Sequence, residues 1–192
     1  MQATVLYGAG DVRFEDRADP VIVEPTDAVI RLPVTCICGS DLWPYRGIQP
    51  VASPAPMGHE YCGFVEEVGR DVTAVKPGQF VIGSFFASDN TCPHCRHGYQ
   101  TSCQRFEPVV GAQAPRMRVP LAEGTLVATR DVPDTGMIPS LLALSDVMGT
   151  GWFAADAADV KPGVTVVVVG DGAVGLLGVL SAKQMGAERS SP

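Results

Sequence analysis

The sequence predicts an α+β chain, with a barrel-like β domain over residues 1–145 and, over 146–192, a linking helix and the first βα unit of a doubly wound α/β domain. Three observations carry this reading. From residue 3 to about residue 130, short runs of Val, Ile and Leu alternate with Gly, Pro and Asp, as closely connected strands do. After Pro139 the texture turns to Ala and Leu without internal proline. Between residues 164 and 185, an apolar run, a glycine-rich turn and a helical pattern follow one another.

In order along the chain, Ala28-Val29-Ile30-Arg31-Leu32, the run from Gly63 to Gly69, and Gln79-Phe80-Val81-Ile82 read as strands. The sixteen prolines cluster between such runs, as at 50–56, where a loop crosses the surface without donating backbone hydrogen bonds. Helices are expected over 140–144 and 146–158, then a turn at Lys161-Pro162-Gly163, a buried strand of the parallel-sheet kind over 164–169, and a helix over 173–185. A βαβ unit then needs a second strand. Ser190-Ser191-Pro192 stands where it would begin, and two serines and a proline are poor strand formers, so no second strand is expected.

With 46% hydrophobic and 18% charged residues the chain falls in the globular range rather than the disordered or membrane one. A formal net charge of -7 repels nucleic acid and anionic lipid. Met1-Gln2-Ala3-Thr4-Val5 lacks the basic start and apolar run of a secretory signal, and the run 164–169 is too short to cross a bilayer, so a cytoplasmic chain is expected. In that reducing compartment the six cysteines are read by their spacing rather than as disulfides.

Cys38-Gly39-Ser40-Asp41 and Gly58-His59-Glu60 supply a thiolate and an imidazole, both good zinc ligands, and Asp146 is a candidate third. Three protein ligands with one open position is the pattern of a catalytic zinc. Asp41 and Glu60 offer carboxylates to orient the histidine or approach the metal, and the Ser40 hydroxyl suits proton transfer. Cys92, Cys95 and Cys103 form a second set, which Asp89 can close as a tetrahedron; His94 and His97 compete for that fourth place, and a lobe without metal is the alternative. The acidic net charge weighs against a nucleic-acid zinc ribbon, which usually has two Cys pairs and a basic surround. Cys36 and Cys62 have no partner at ligand spacing and read as small buried hydrophobes.

Gly170-Asp171-Gly172-Ala173-Val174-Gly175 lies between the apolar strand and the helix. In that context its first glycine permits a tight turn, its second lets a pyrophosphate approach the backbone, and its third allows close helix-to-strand packing. The cofactor is expected to be a dinucleotide, cradled at the helix N-terminus.

Cys-Gly-Ser-Asp at 38–41, Gly-His-Glu at 58–60, and Ser145-Asp146-Val147-Met148-Gly149-Thr150-Gly151-Trp152 together resemble the zinc-dependent medium-chain alcohol dehydrogenase family, over nearly the whole chain. The resemblance implies a catalytic domain with a GroES-like β-barrel core, followed by the start of a Rossmann domain. It implies Cys38, His59 and Asp146 as catalytic zinc ligands, Glu60 as a transient fourth, Ser40 as proton carrier, Asp41 as support for His59, and Thr150 facing the nicotinamide of NAD or NADP. It also implies a structural zinc lobe, in which Asp89 stands where the family has a fourth cysteine. Leu42-Trp43-Pro44 replaces the segment in which the family often carries a proton-relaying histidine.

The function so implied is an oxidoreductase passing hydride between an alcohol or aldehyde substrate and the nicotinamide. The sequence also reads as cut short near Arg189, which makes a zinc-binding fragment that cannot hold the cofactor the alternative. A homo-oligomer, or a partner chain covering the shortened domain, would then be expected. The Cys38, His59 and Asp146 set stands against a metal-free quinone reductase.

Overall fold

Antiparallel pairing of the short apolar runs builds the first of two units, Met1–Leu142, in the computed structural model, which describes residues 1–191. In chain order this unit holds β1 (Gln2–Gly8), β2 (Asp11–Asp16), β3 (Ala28–Thr35), α1 (Leu42–Tyr45), β4 (Ala55–Pro56), β5 (Tyr61–Val68), β6 (Phe80–Gly83) and β7 (Phe86–Ala87). It continues with α2 (Pro93–Arg96), β8 (Glu107–Pro108), β9 (Arg116–Val119), α3 (Ala122–Thr125), β10 (Leu126–Ala128) and α4 (Ile138–Leu142). A five-stranded sheet runs β10-β6-β5-β3-β9, a three-stranded one β2-β1-β4, and β7 pairs with β8.

Register follows the apolar pattern, because a one-residue slip would turn the buried face outward. Ile30 of β3 lies opposite Val65 of β5 on one side and Met117 of β9 on the other, and all three enter one buried cluster with Tyr61, Val81 and Val119. Between Arg31 and Val34 the β3–β5 register shifts, and Pro33, which has no N–H for the ladder, falls within that irregularity. Opposite it, Gly63 admits the β3 backbone so closely that a Cβ there would sit 2.0 Å from the Arg31 carbonyl oxygen. A second cluster, Cys62, Phe80, Ile138 and Leu142, seats α4 against the sheet.

Asp27, wholly buried at the entry to β3, is saturated with donors. One oxygen accepts the backbone N–H of Val23 at 3.0 Å and of Glu24 at 2.7 Å, while the Arg118 guanidinium binds both oxygens at 2.5 and 3.0 Å. Burial alone would raise the Asp27 carboxyl, but the Arg118 hydrogen bond and the two backbone donors outweigh it and hold its pKa below the ordinary value.

The second unit, from Ala143 onward, contains α5 (Val147–Ala157), β11 (Thr165–Val167), α6 (Ala173–Gln184) and β12 (Arg189–Ser191). Its two long helices pack at paired glycines: a Cβ on Gly151 would lie 2.7 Å from the Gly178 backbone nitrogen.

Two expectations are corrected in this unit. A second strand does form, β12, pairing parallel to β11 with Thr165 opposite Arg189, and the Glu188 N–H reaches the Val164 carbonyl at 3.0 Å. Backbone pairing across the helical crossover outweighs the poor strand propensity of the serines; Pro192 lies outside the described residues. The strand expected as buried is instead largely exposed, with Val167 and Val169 open to solvent. Parallel strands are buried only where helices cover both faces of the sheet, and the described residues of this unit supply two helices. Among the described residues, no helix is long and apolar enough to cross a membrane.

Candidate metal centres

Beyond β3 the chain stays extended through Cys38 (φ -82°, ψ 155°) and then tightens into a short 3-10 turn, Gly39–Asp41. The buried Asp41 accepts the Cys38 backbone N–H at 2.9 Å through one carboxylate oxygen and faces His59 Nδ1 at 3.4 Å through the other. One carboxylate thus holds the thiol-bearing backbone and faces the imidazole, as the supporting group of a metal-ligating histidine does. His59 is set by Gly58, whose φ of +85° favours glycine and whose missing Cβ makes room for Gln113. The His59 ring meets the edge of Phe85, with centroids 6.2 Å apart.

Glu60 completes this group. Its side chain is 3% exposed, the Cys36 thiol donates to its Oε2 at 2.9 Å, and its backbone carbonyl accepts from Thr35 Oγ1 at 3.0 Å. Cys38, His59 and Glu60 each offer a ligand atom within 4.8 Å of the others. No Lys or Arg pairs with the Glu60 carboxylate among the described residues, and a buried carboxylate without a cation is unfavourable by several kcal/mol. A divalent ion held by a thiolate, an imidazole and this carboxylate would remove that penalty, so the donor set fits zinc. Ser40 lies exposed in the turn beside Cys38. Cys36 is therefore not the inert core residue that spacing suggests; Cys62 is, with burial pushing its thiol up to about 11. Neither Cys36 nor Phe85 had a signal in the sequence, because the role of each depends on a group distant along the chain.

Asp146 and Thr150 belong to the second unit. Asp146 precedes α5, and the Thr150 hydroxyl donates to its backbone carbonyl at 3.2 Å. The glycine fingerprint lies there too. Gly170 turns the chain at φ +117°, Gly172 enters α6 in an extended conformation, and a Cβ on Gly175 would fall 1.9 Å from the Gly170 carbonyl oxygen. The N–H groups of Ala173 and Val174 precede the bond from Leu176 N–H to the Gly172 carbonyl (2.9 Å), so they have no acceptor within the helix, as a phosphate cradle requires.

In the lobe after β7, Asp89, Cys92, Cys95 and Cys103 bring their ligand atoms within 4.8 Å of one another, with Cys92 and Cys95 sulfurs 3.5 Å apart. Backbone N–H groups of Asp89 and Arg105 donate to the Cys103 sulfur at 3.4 and 3.3 Å. The Asp89 carboxyl is held well below the usual carboxylate range, first by the Thr91 N–H and also by that of Cys92. Backbone donation from Cys95 and Gln104 lowers the Cys92 thiol to about 7, whereas burial and the neighbouring thiols push Cys95 up to about 12. His94 and His97 turn their Nδ1 atoms to the backbone carbonyls of Ser102 and Pro93 and stand outside the four-residue cluster. Three sulfurs and one oxygen fit a closed tetrahedral zinc site.

Residues 24–140 match the alcohol dehydrogenase GroES-like domain family. The chain is 34% identical to zinc-type alcohol dehydrogenase B of Aspergillus flavus, over 95% of its own length and 44% of that protein's. It is 36% identical to a probable zinc-binding alcohol dehydrogenase of Mycobacterium tuberculosis, over 95% and 48% of the two lengths. An alcohol dehydrogenase from Thermus sp. ATN1 superposes with a TM-score of 0.90 at 32% identity, covering 99% of this chain and 57% of that one. The chain thus spans about half the length of the curated relatives it matches.

Proposed function

Since the chain belongs to the alcohol dehydrogenase GroES-like family, we propose that it serves a zinc-dependent oxidoreductase that moves hydride between an alcohol carbon and NAD or NADP. The observation that carries this reading is the buried Glu60 carboxylate beside Cys38 and His59, with which no Lys or Arg pairs among the described residues. Asp146, at the start of the second unit, is the proposed third protein ligand, and Glu60 the transient fourth. Zinc, when bound, supplies a Lewis acid that polarises a substrate oxygen and lowers its pKa. The chain's own residues do the rest: Asp41 keeps His59 in the ligating orientation, and the Ser40 hydroxyl takes the alcohol proton and passes it to water. The turn 170–175 and the first N–H groups of α6 would hold the pyrophosphate, and Thr150 would serve the nicotinamide end of the cofactor. In the second metal centre, Asp89, Cys92, Cys95 and Cys103 hold a structural zinc that pins the lobe.

A second reading, a chain that keeps zinc but not the cofactor, is favoured by the exposure of Val167 and Val169, which leaves β11 poorly covered. Metal analysis, dinucleotide titration and alcohol turnover on the parent chain and on Cys38→Ala separate the two. The oxidoreductase reading expects turnover in the parent and none in Cys38→Ala, with unfolding unchanged. Zinc retained without dinucleotide binding in the parent would establish the second reading instead, and absence of zinc at Cys38 would refute both.

A further inference from the structure

We propose that Cys36 is a positioning residue, whose thiol latches Glu60 and thereby limits how far that carboxylate engages a metal held by Cys38 and His59. The proposal rests on the zinc reading above. Thr35 and Cys36, consecutive residues at the end of β3, grip Glu60 twice: Thr35 Oγ1 binds its backbone carbonyl at 3.0 Å, and the Cys36 sulfur binds its Oε2 at 2.9 Å. Among the described residues no other group donates to that carboxylate, although its side chain is 3% exposed. Cys36 itself packs against the cluster of Cys62, Phe80, Ile138 and Leu142, so it is backed by an apolar wall.

The chemistry of the donor matters. A thiol is a weak donor, so the latch is strong enough to choose a rotamer for Glu60 yet leaves the carboxylate most of its affinity for a cation. Serine at position 36 keeps a donor there; alanine removes it. Without the donor, the buried carboxylate has only the metal to satisfy it and should bind the metal more fully.

Two measurements test the latch. In metal-free protein, thermal unfolding of Cys36→Ala, Glu60→Gln and the double variant should depart from additivity by at least about 2 °C, because the thiol acts through the carboxylate. With cobalt(II) as the probe ion, Cys36→Ala should shift the visible absorption bands, Cys36→Ser should restore the parent spectrum, and the shift should vanish in the Glu60→Gln background. Cys36→Val replaces alanine if the latter leaves the chain unfolded. Additive unfolding in the metal-free variants overturns the latch, and so does a Cys36→Ala cobalt spectrum identical to the parent's. Absence of cobalt bands from the parent overturns the metal reading separately, while the metal-free comparison still decides the link between Cys36 and Glu60.

Discussion

Replacing Asp27 by alanine strips the entry to β3 of a wholly buried carboxylate and removes four hydrogen bonds at once. The backbone N–H groups of Val23 and Glu24 lose their acceptor, at about 1–3 kcal/mol for each orphaned donor. Breaking a buried ion pair by removing one partner costs about 3–5 kcal/mol. Because the Arg118 side chain is 32% exposed, water recovers part of its loss, and the two penalties overlap rather than add. A total of about 3–5 kcal/mol follows, which for a chain of this size lowers Tm by roughly 6–20 °C. Asp27→Asn keeps an acceptor for the two amides and should lose about half as much.

The same carboxylate gives a pH signature. Its folded pKa lies below the unfolded one, so its stabilisation is fully present above the ordinary carboxylate value, near ~4, and is lost as pH falls through the lowered folded value. Calorimetric melting of parent and Asp27→Ala should therefore differ most at neutral pH and converge as acid is added below ~4. A difference under about 2 °C at neutral pH, or one that persists undiminished in acid, would refute the account.

Other outcomes test the remaining features. Gly151→Ala should destabilise the second unit by about 1–3 kcal/mol in urea unfolding, because its Cβ would press on the Gly178 backbone; Gly149→Ala, with open space beside it, should not. Gly175→Ala should weaken dinucleotide binding at least about tenfold in a fluorescence titration while leaving metal content unchanged, since it closes the turn on the Gly170 carbonyl. Cys95→Ala should halve the zinc content by elemental analysis and lower Tm, with the Cys38 site still filled.

What could be read in advance, and what could not, divides along physical lines. The β-rich first unit and the helices after Pro139 were legible, since strand alternation and helical texture are local properties. That Cys38, His59 and Glu60, and likewise Asp89, Cys92, Cys95 and Cys103, would lie close together was legible too, because candidate metal donors are few in kind and some are closely spaced, as Cys92 and Cys95 are. Cys36 was not, since its thiol gains meaning only from a carboxylate 24 residues away. Nor was β12, whose pairing with β11 is a backbone matter that serine side chains neither announce nor prevent. The exposure of Val167 and Val169 was hidden for a related reason: an apolar run reports what a strand can bury, not what is there to bury it.

The odd number of sulfurs in the lobe has a practical consequence. A four-cysteine cluster that loses its ion in air can close two disulfides and fall silent. Here Cys92 and Cys95, 3.5 Å apart, would pair with each other and leave Cys103 with no sulfur of its own lobe to join. The remaining Cys103 sulfur is then left for exchange with a disulfide of another molecule. Preparations stripped by chelators should therefore age into cross-linked pairs on a non-reducing gel unless a reductant accompanies the chelator.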